Sequence, residues 1–344
     1  MIKRLMTAAL AAVVLLLASC GSREPANEVN VFNWITYLPE DIRAEFTEET
    51  GITLNYEEYD SNETMMAKLK AGARYDVAFP GGDFVPAMIS EGMLQEIDHS
   101  KIPNMSSIDA VVIEKSQAFD KGNQYSLPYN IGTTGIVYWK DEIPSPDPSY
   151  SILTRPDLKG KIAIMDDVRE VFGPALASLG YSGNTLNPDE IAQATDVILS
   201  WKANALKFDN EQMATLFANK EIWVALNYPE NILAEVDPEI ADKAGFFVPK
   251  EGGILYLDNM VILKNAKNTE NAHKFINFIL KPENLARICD AFGYPGICAE
   301  ANKLRTSTPF YTTEALTKHE IKMPLYENVT LYTKPWEEKI KIGQ

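Results

Sequence analysis

Cysteine and histidine are scarce in this chain, with three of each in 344 residues. His99, His273 and His319 are scattered without ligand spacing, and Cys289 and Cys298 by themselves do not make a metal site. His-Glu-x-x-His, Gly-x-Ser-x-Gly and Gly-x-x-x-x-Gly-Lys are absent, which argues against a zinc protease, an α/β-hydrolase and a phosphate-cradling loop. No cofactor and no catalytic role are expected. Positive charge is in deficit as well: 32 Lys and Arg against 48 Asp and Glu leave a net charge of −16. That excess disfavours nucleic acid or an anionic membrane as a partner and favours a cationic one, although solubility alone also accounts for it. Beyond the N-terminus no apolar run approaches the ~20 residues of a membrane span. No repeat of fixed period supports a solenoid.

What is present is an ordinary globular balance, 46% apolar and 23% charged, in a chain long enough for two lobes. Lys3 and Arg4 precede an apolar run over 8–18 that ends in Leu17-Ala18-Ser19-Cys20-Gly21. A basic start, a short apolar core and small residues at a cleavage point describe a secretory signal peptide over 1–19. Leu-Ala-Ser-Cys also resembles a bacterial lipobox, which makes Cys20 the expected lipidated first residue and 20–28 a polar tether. Removal of the signal takes away Lys3 and Arg4 and deepens the negative charge by two. An exported compartment permits a disulfide between Cys289 and Cys298, if their Cα atoms stand about 4.4–6.8 Å apart.

Strand and helix signals then alternate. Strands are expected over 29–34, 52–59, 75–79, 133–139, 161–165, 222–228, 245–248 and 254–263. Helices are expected over 38–49, 63–71, 169–179, 190–202 and 271–280, with Gly51 ending the first and Pro282 stopping the last. Strands separated by helices point to parallel sheets with crossovers and an α/β class, and in open α/β sheets ligands bind beyond the carboxyl ends of strands. Most of the turns after these strands carry a ring or an acid. Trp34 and Tyr37 sit on one, with a core role for Trp34 as the plain alternative. Asp167 and Glu170 stand at i, i+3 on the next helix start, where Asp-x-x-Glu is also an ordinary capping arrangement. Tyr256 and Asp258 share one face of a strand, and an acid flanked by Ile254-Leu255 and Met260-Val261-Ile262 needs a partner, whether a ligand cation or an internal salt bridge.

Over nearly the whole mature chain the sequence resembles the spermidine/putrescine-binding components of bacterial polyamine ABC importers. The resemblance lies in Asn33-Trp34 with Tyr37-Leu38-Pro39, Tyr59-Asp60-Ser61-Asn62-Glu63-Thr64-Met65, Asp166-Asp167-Val168-Arg169-Glu170-Val171-Phe172, Gly180-Tyr181-Ser182-Gly183-Asn184, Pro249-Lys250-Glu251-Gly252-Gly253-Ile254 and Gly293-Tyr294-Pro295. It implies a two-lobed, periplasmic-binding-protein-like fold of type II, with lobes over 29–131 plus 259–305 and 132–258 plus 306–344, closing on ligand by a hinge. It implies an aromatic cage of Trp34, Tyr37, Tyr256 and Tyr294. Asp167, Glu170 and Asp258 would meet ammonium groups, Tyr228 would stand for a family tryptophan and Glu327 for a family glutamine. Asp83 occupies the place of a family tyrosine, which leaves the choice between putrescine and spermidine open. The implied partners are a polyamine and an ABC importer permease, with the membrane reached through lipidated Cys20 alone, no nucleic acid, and a monomer on the extracytoplasmic face. The same fold could serve another organic cation or a sensor. A hydrolase built on Asp167 and Glu170 is disfavoured, since glycosidase carboxyls flank their bond about 5–9.5 Å apart.

Overall fold

A computed structural model describes residues 27–342; the signal peptide and Cys20 lie outside that range. Eleven strands among the described residues form two sheets.

The first sheet grows from β1 (Glu28–Trp34), whose Val29, Val31 and Phe32 are buried. The helix Glu40–Thr50 buries Ile42 and Phe46, four residues apart on one face, and ends where Gly51 takes φ 67°. The chain returns as β2 (Thr53–Tyr59), parallel to β1 with Trp34 opposite Tyr59. Ser61 caps the helix Asn62–Lys70 by accepting from the Thr64 N–H. The short β3 (Val77–Ala78) then pairs on the other side of β1.

Expected and observed strands part company next. β4 (Ser126–Thr133) is not among the strands expected, while the one expected over 133–139 is β5 (Gly135–Trp139); the two lie in different sheets with Thr134 alone between them. The chain has crossed between lobes. The second sheet adds β6 (Ile162–Ile164), β7 (Lys207–Phe208), β8 (Val224–Asn227) and β9 (Ala244–Phe247), in the order β7-β6-β8-β5-β9. Its parallel pairs are crossed by the helices Val168–Ser178 and Pro188–Asn204, while β5 is antiparallel to both β8 and β9.

The chain crosses back into β10 (Ile254–Ile262) of the first sheet. Thr133 Oγ1 donates to Ile254 O at 2.7 Å, tying the two crossings together. The expected lobe boundary between 258 and 259 therefore falls inside a strand. All of β10 pairs in the first sheet, and Leu255 and Leu257 belong to its core. The 306–344 segment is divided as well: Tyr311, Leu316 and Ile321 pack in the first core, Tyr332, Trp336 and Ile340 in the second. Pro282 does stop one helix (Thr269–Ile279), but it also opens the next (Pro282–Phe292).

Cys289 and Cys298 are free thiols, both buried. The Cys298 sulfur instead accepts from the Ala301 N–H at 3.3 Å as a helix cap. The intervening turn is held by Arg305, which donates to Tyr294 O at 2.6 Å and pairs with Asp290 at 3.2 Å.

Candidate functional site

β10 is where the site is made. β4 runs along one of its edges from Leu255 to Val261. The opposite edge is shared by β11 (Glu320–Ile321), at Ile254 and Leu255, and by β3, at Val261 and Ile262. Between them the chain leaving β3 passes through Gly81, which bridges to Asp258, and the Gly82 N–H donates to Leu257 O at 2.8 Å. The β4–β10 register slips between Asp258 and Asn259. Asp258 faces Asn130 and Asn259 faces Pro128, so the extra residue of this bulge is Tyr129 on β4, and Asp258 lines a cavity of about 360 Å³ between the lobes.

The walls are aromatic. Trp34 donates its indole N–H to Phe79 O at 2.8 Å, and its ring is 4.8 Å from Tyr59. Tyr37 stands 6.2 Å from Trp34, 5.5 Å from Tyr129 and 5.3 Å from Tyr294. Tyr256 meets Tyr228, from the second lobe, edge to face at 5.4 Å. The Asn130 amide donates to the Tyr37 hydroxyl at 3.0 Å and to that of Tyr256 at 3.3 Å, holding the two rings in register. Tyr294 backs the cage from behind Tyr37 rather than lining the cavity.

The charges are arranged in two groups. At Gly81, a side-chain Cβ would stand 2.8 Å from Asp83 Oδ1, 2.9 Å from Asn62 Nδ2 and 3.6 Å from Asp258 Oδ1. Two carboxylates thus converge on one glycine, and Asn62 marks the same corner. Burial pushes the Asp258 carboxyl up to about 7; the Asp83 charge adds to the rise, while the Tyr37 hydroxyl and Lys322 oppose it. Asp83 is also raised by burial, with Lys322 pulling it back.

The second group centres on Glu170, 2% exposed, whose Oε1 lies 3.0 Å from Lys322 Nζ. Burial lowers the Lys322 ammonium, but Glu170, Asp83 and Asp167 outweigh it and hold the group above the ordinary lysine range. Glu230, from the turn after β8, is driven up to about 7 by burial, and Tyr256 Oη stands 3.5 Å from its Oε1.

Two expectations change. Asp167 is exposed and caps the helix Val168–Ser178, accepting from the N–H groups of Arg169 at 2.8 Å and Glu170 at 3.0 Å. Its Oδ1 is committed to the backbone at the helix start, and its charge reaches the cavity through Lys322. Glu327 is exposed on the short turn Tyr326–Val329. The β10–β11 ladder brings Lys322 to the cavity instead, five residues earlier in the chain. Sequence reasoning also passed over Asn62, Asn130 and Glu230, although Glu230 lies on one of the ring-and-acid turns it singled out. Among the described residues no three His, Cys, Asp or Glu side chains converge as a metal set, and no helix is long and apolar enough to cross a membrane.

The sequence profile of bacterial extracellular solute-binding proteins matches residues 41–318. The chain belongs to this family. As a solute-binding protein it is 38% identical over 289 residues to the spermidine/putrescine-binding periplasmic protein of Escherichia coli, covering 83% of this chain and 82% of the relative. It is 36% identical to the putrescine/cadaverine-binding protein of Pseudomonas aeruginosa, covering 88% and 91%. Among solved structures, the TpPotD lipoprotein of Treponema pallidum superposes with a TM-score of 0.82 at 38% identity, over 90% of this chain and 98% of the other. The two lobes, the interlobe cavity and the family agree on an extracytoplasmic binding component as the kind of molecule.

Proposed function

We propose that this solute-binding protein captures a polyamine of the putrescine or spermidine type and delivers it to the permease of an ABC importer. The observation that carries the reading is the Asp258–Asp83 pair at the foot of an aromatic cavity walled by Trp34, Tyr37, Tyr228 and Tyr256. A buried carboxylate is costly without a cation. Aromatic faces attract ammonium groups by about 0.5–2 kcal/mol per contact and also cover methylenes. An alkyl chain with an ammonium at each end satisfies both demands, and a neutral sugar satisfies neither. The names of the relatives at 36–38% identity point to the same ligand class.

Lipidation at Cys20 would keep the protein at the membrane, and Cys20→Ser should release it from the membrane fraction. A wild-type N-terminus without lipid, read by mass spectrometry, would remove that part. The ligand is tested by thermal shift on residues 22–344, since a ligand of the native state raises apparent stability. Putrescine or spermidine should raise the midpoint, while butylamine, an amino acid and a sugar should do little. A protein that ignores both polyamines is not a polyamine carrier.

A further inference from the structure

Lys322 is a cation that the chain itself places in the ligand cavity. Its position follows from the pairing of β11 with β10, Glu320 opposite Ile254 and Ile321 opposite Leu255, so the next residue emerges at the cavity wall. Its ammonium pairs with Glu170 Oε1 at 3.0 Å, and the Glu170 side chain is 3% exposed. Chemically, a lysine side chain is four methylenes and an ammonium, which is the aminobutyl arm of a polyamine.

The charge count then becomes specific. The carboxylates on the cavity wall itself are Asp83 and Asp258; behind it, Glu170 is offset by Lys322, Asp167 caps its helix, and Glu230 stands against the Tyr256 hydroxyl at 3.5 Å. Arg169 is turned away, donating to Met323 O at 2.9 Å and Gly183 O at 3.2 Å. Glu170 Oε2 is buried and has no partner among the described residues, which leaves an acceptor for one incoming ammonium. Two negative charges remain for a ligand, and a third ammonium would meet the like charge of Lys322.

Resting on the polyamine reading above, we propose that Lys322 is a specificity residue: it supplies in place the ammonium arm that a triamine would bring, so the site selects α,ω-diamines over triamines. Isothermal calorimetry on residues 22–344, freed of bound ligand, tests this with putrescine and spermidine. Wild type should bind putrescine at least tenfold more tightly than spermidine. Lys322→Gln strips Glu170 of its partner and should move the ratio at least tenfold toward spermidine. The double variant E170Q/K322Q, which buries no lone charge, should return the ratio to within threefold of wild type. The wild-type ranking needs no variant to fold, and the double variant covers a failure of Lys322→Gln. Spermidine binding as tightly as putrescine in wild type, or an unmoved ratio in Lys322→Gln, overturns the proposal. A double variant that keeps the full shift overturns it too, because bulk rather than charge would then be at work. A wild type that binds neither ligand fails at the polyamine reading itself, a result distinct from binding both without the predicted ranking.

Discussion

The hydroxyl of Tyr37 donates to the carboxylate of Asp258 across 221 positions of sequence, joining the turn after β1 to β10 at the point where β4 bulges against it. The donor steadies the charged form of an acid that burial works to neutralise. Asp258→Asn should weaken putrescine by about 2–5 kcal/mol, the usual cost of truncating a buried charge pair. The empty variant should melt no lower than wild type at pH 8, because Asn carries no charge to desolvate. Calorimetry and thermal denaturation together check this; wild-type affinity in the variant would remove Asp258 from the site.

The pH dependence has a definite sign. An unfolded Asp titrates near 4, whereas Asp258 in the folded protein holds its proton to about 7. Between those values the native state binds more protons than the unfolded state, so the stability contribution of Asp258 declines as pH rises from about 4 to about 7. Each unit of difference corresponds to about 1.4 kcal/mol. Ligand binding runs the other way, since a diammonium ligand requires the carboxylate. Putrescine affinity should climb from pH 5.5 to 8, with proton release visible as a buffer-dependent enthalpy. Asp258→Asn should flatten that slope, leaving what Glu230 contributes. An affinity independent of pH in wild type contradicts the assignment.

Gly81→Ala separates binding from folding. Gly81 has no positive φ, and the new methyl would meet the ends of Asp83, Asn62 and Asp258 rather than backbone. Those ends can turn aside at little cost to the fold, but the corner that gathers the two carboxylates is then filled. Putrescine affinity should fall at least tenfold while the melting midpoint stays within a few degrees. Unchanged affinity would show that the ligand does not use this corner.

The thiols offer a chemical check. Cys289 is 4% and Cys298 0% exposed, and burial pushes the Cys289 thiol up to about 12. Native protein of residues 22–344 should resist a thiol reagent, and the same protein denatured without reductant should yield two sulfhydryls. No sulfhydryl after denaturation would mean that the exported protein carries the bond these free thiols lack.

Much of this was legible in the sequence wherever the signal was local. Gly51 closed its helix as expected, and Tyr256 and Asp258, at i and i+2 of β10, both line the cavity, the bulge residue being Tyr129 on the facing strand. The capping alternative for Asp167 also needed only neighbouring residues, and its hydrogen bonds bear it out. What escaped was set by pairing at a distance. Lys322 reaches the cavity through a two-residue ladder between segments some 66 positions apart. The strand over 126–133 leaves no clear mark, since Pro128, Asn130 and Gly132 interrupt its apolar residues and a single threonine separates it from β5. Glu327 was placed by alignment across a stretch of altered length, where a shift of five residues exchanges a solvated acid for a half-buried cation.

The cavity is unequally shared between the lobes. Trp34, Tyr37, Asn62, Asp83, Tyr256 and Asp258 belong to the first sheet and its connections, whereas Tyr228 and the more deeply set Glu170 and Glu230 come from the second lobe. A polyamine can therefore dock on one lobe while the mouth stands open, with one carboxylate pair and most of the aromatic wall already assembled. On that division of contacts, the second lobe is expected to act as the latch and to bear on residence time more than on capture rate. Delivery to a permease then asks for little force: prising away the lobe with fewer contacts leaves the ligand on an open face, free to depart.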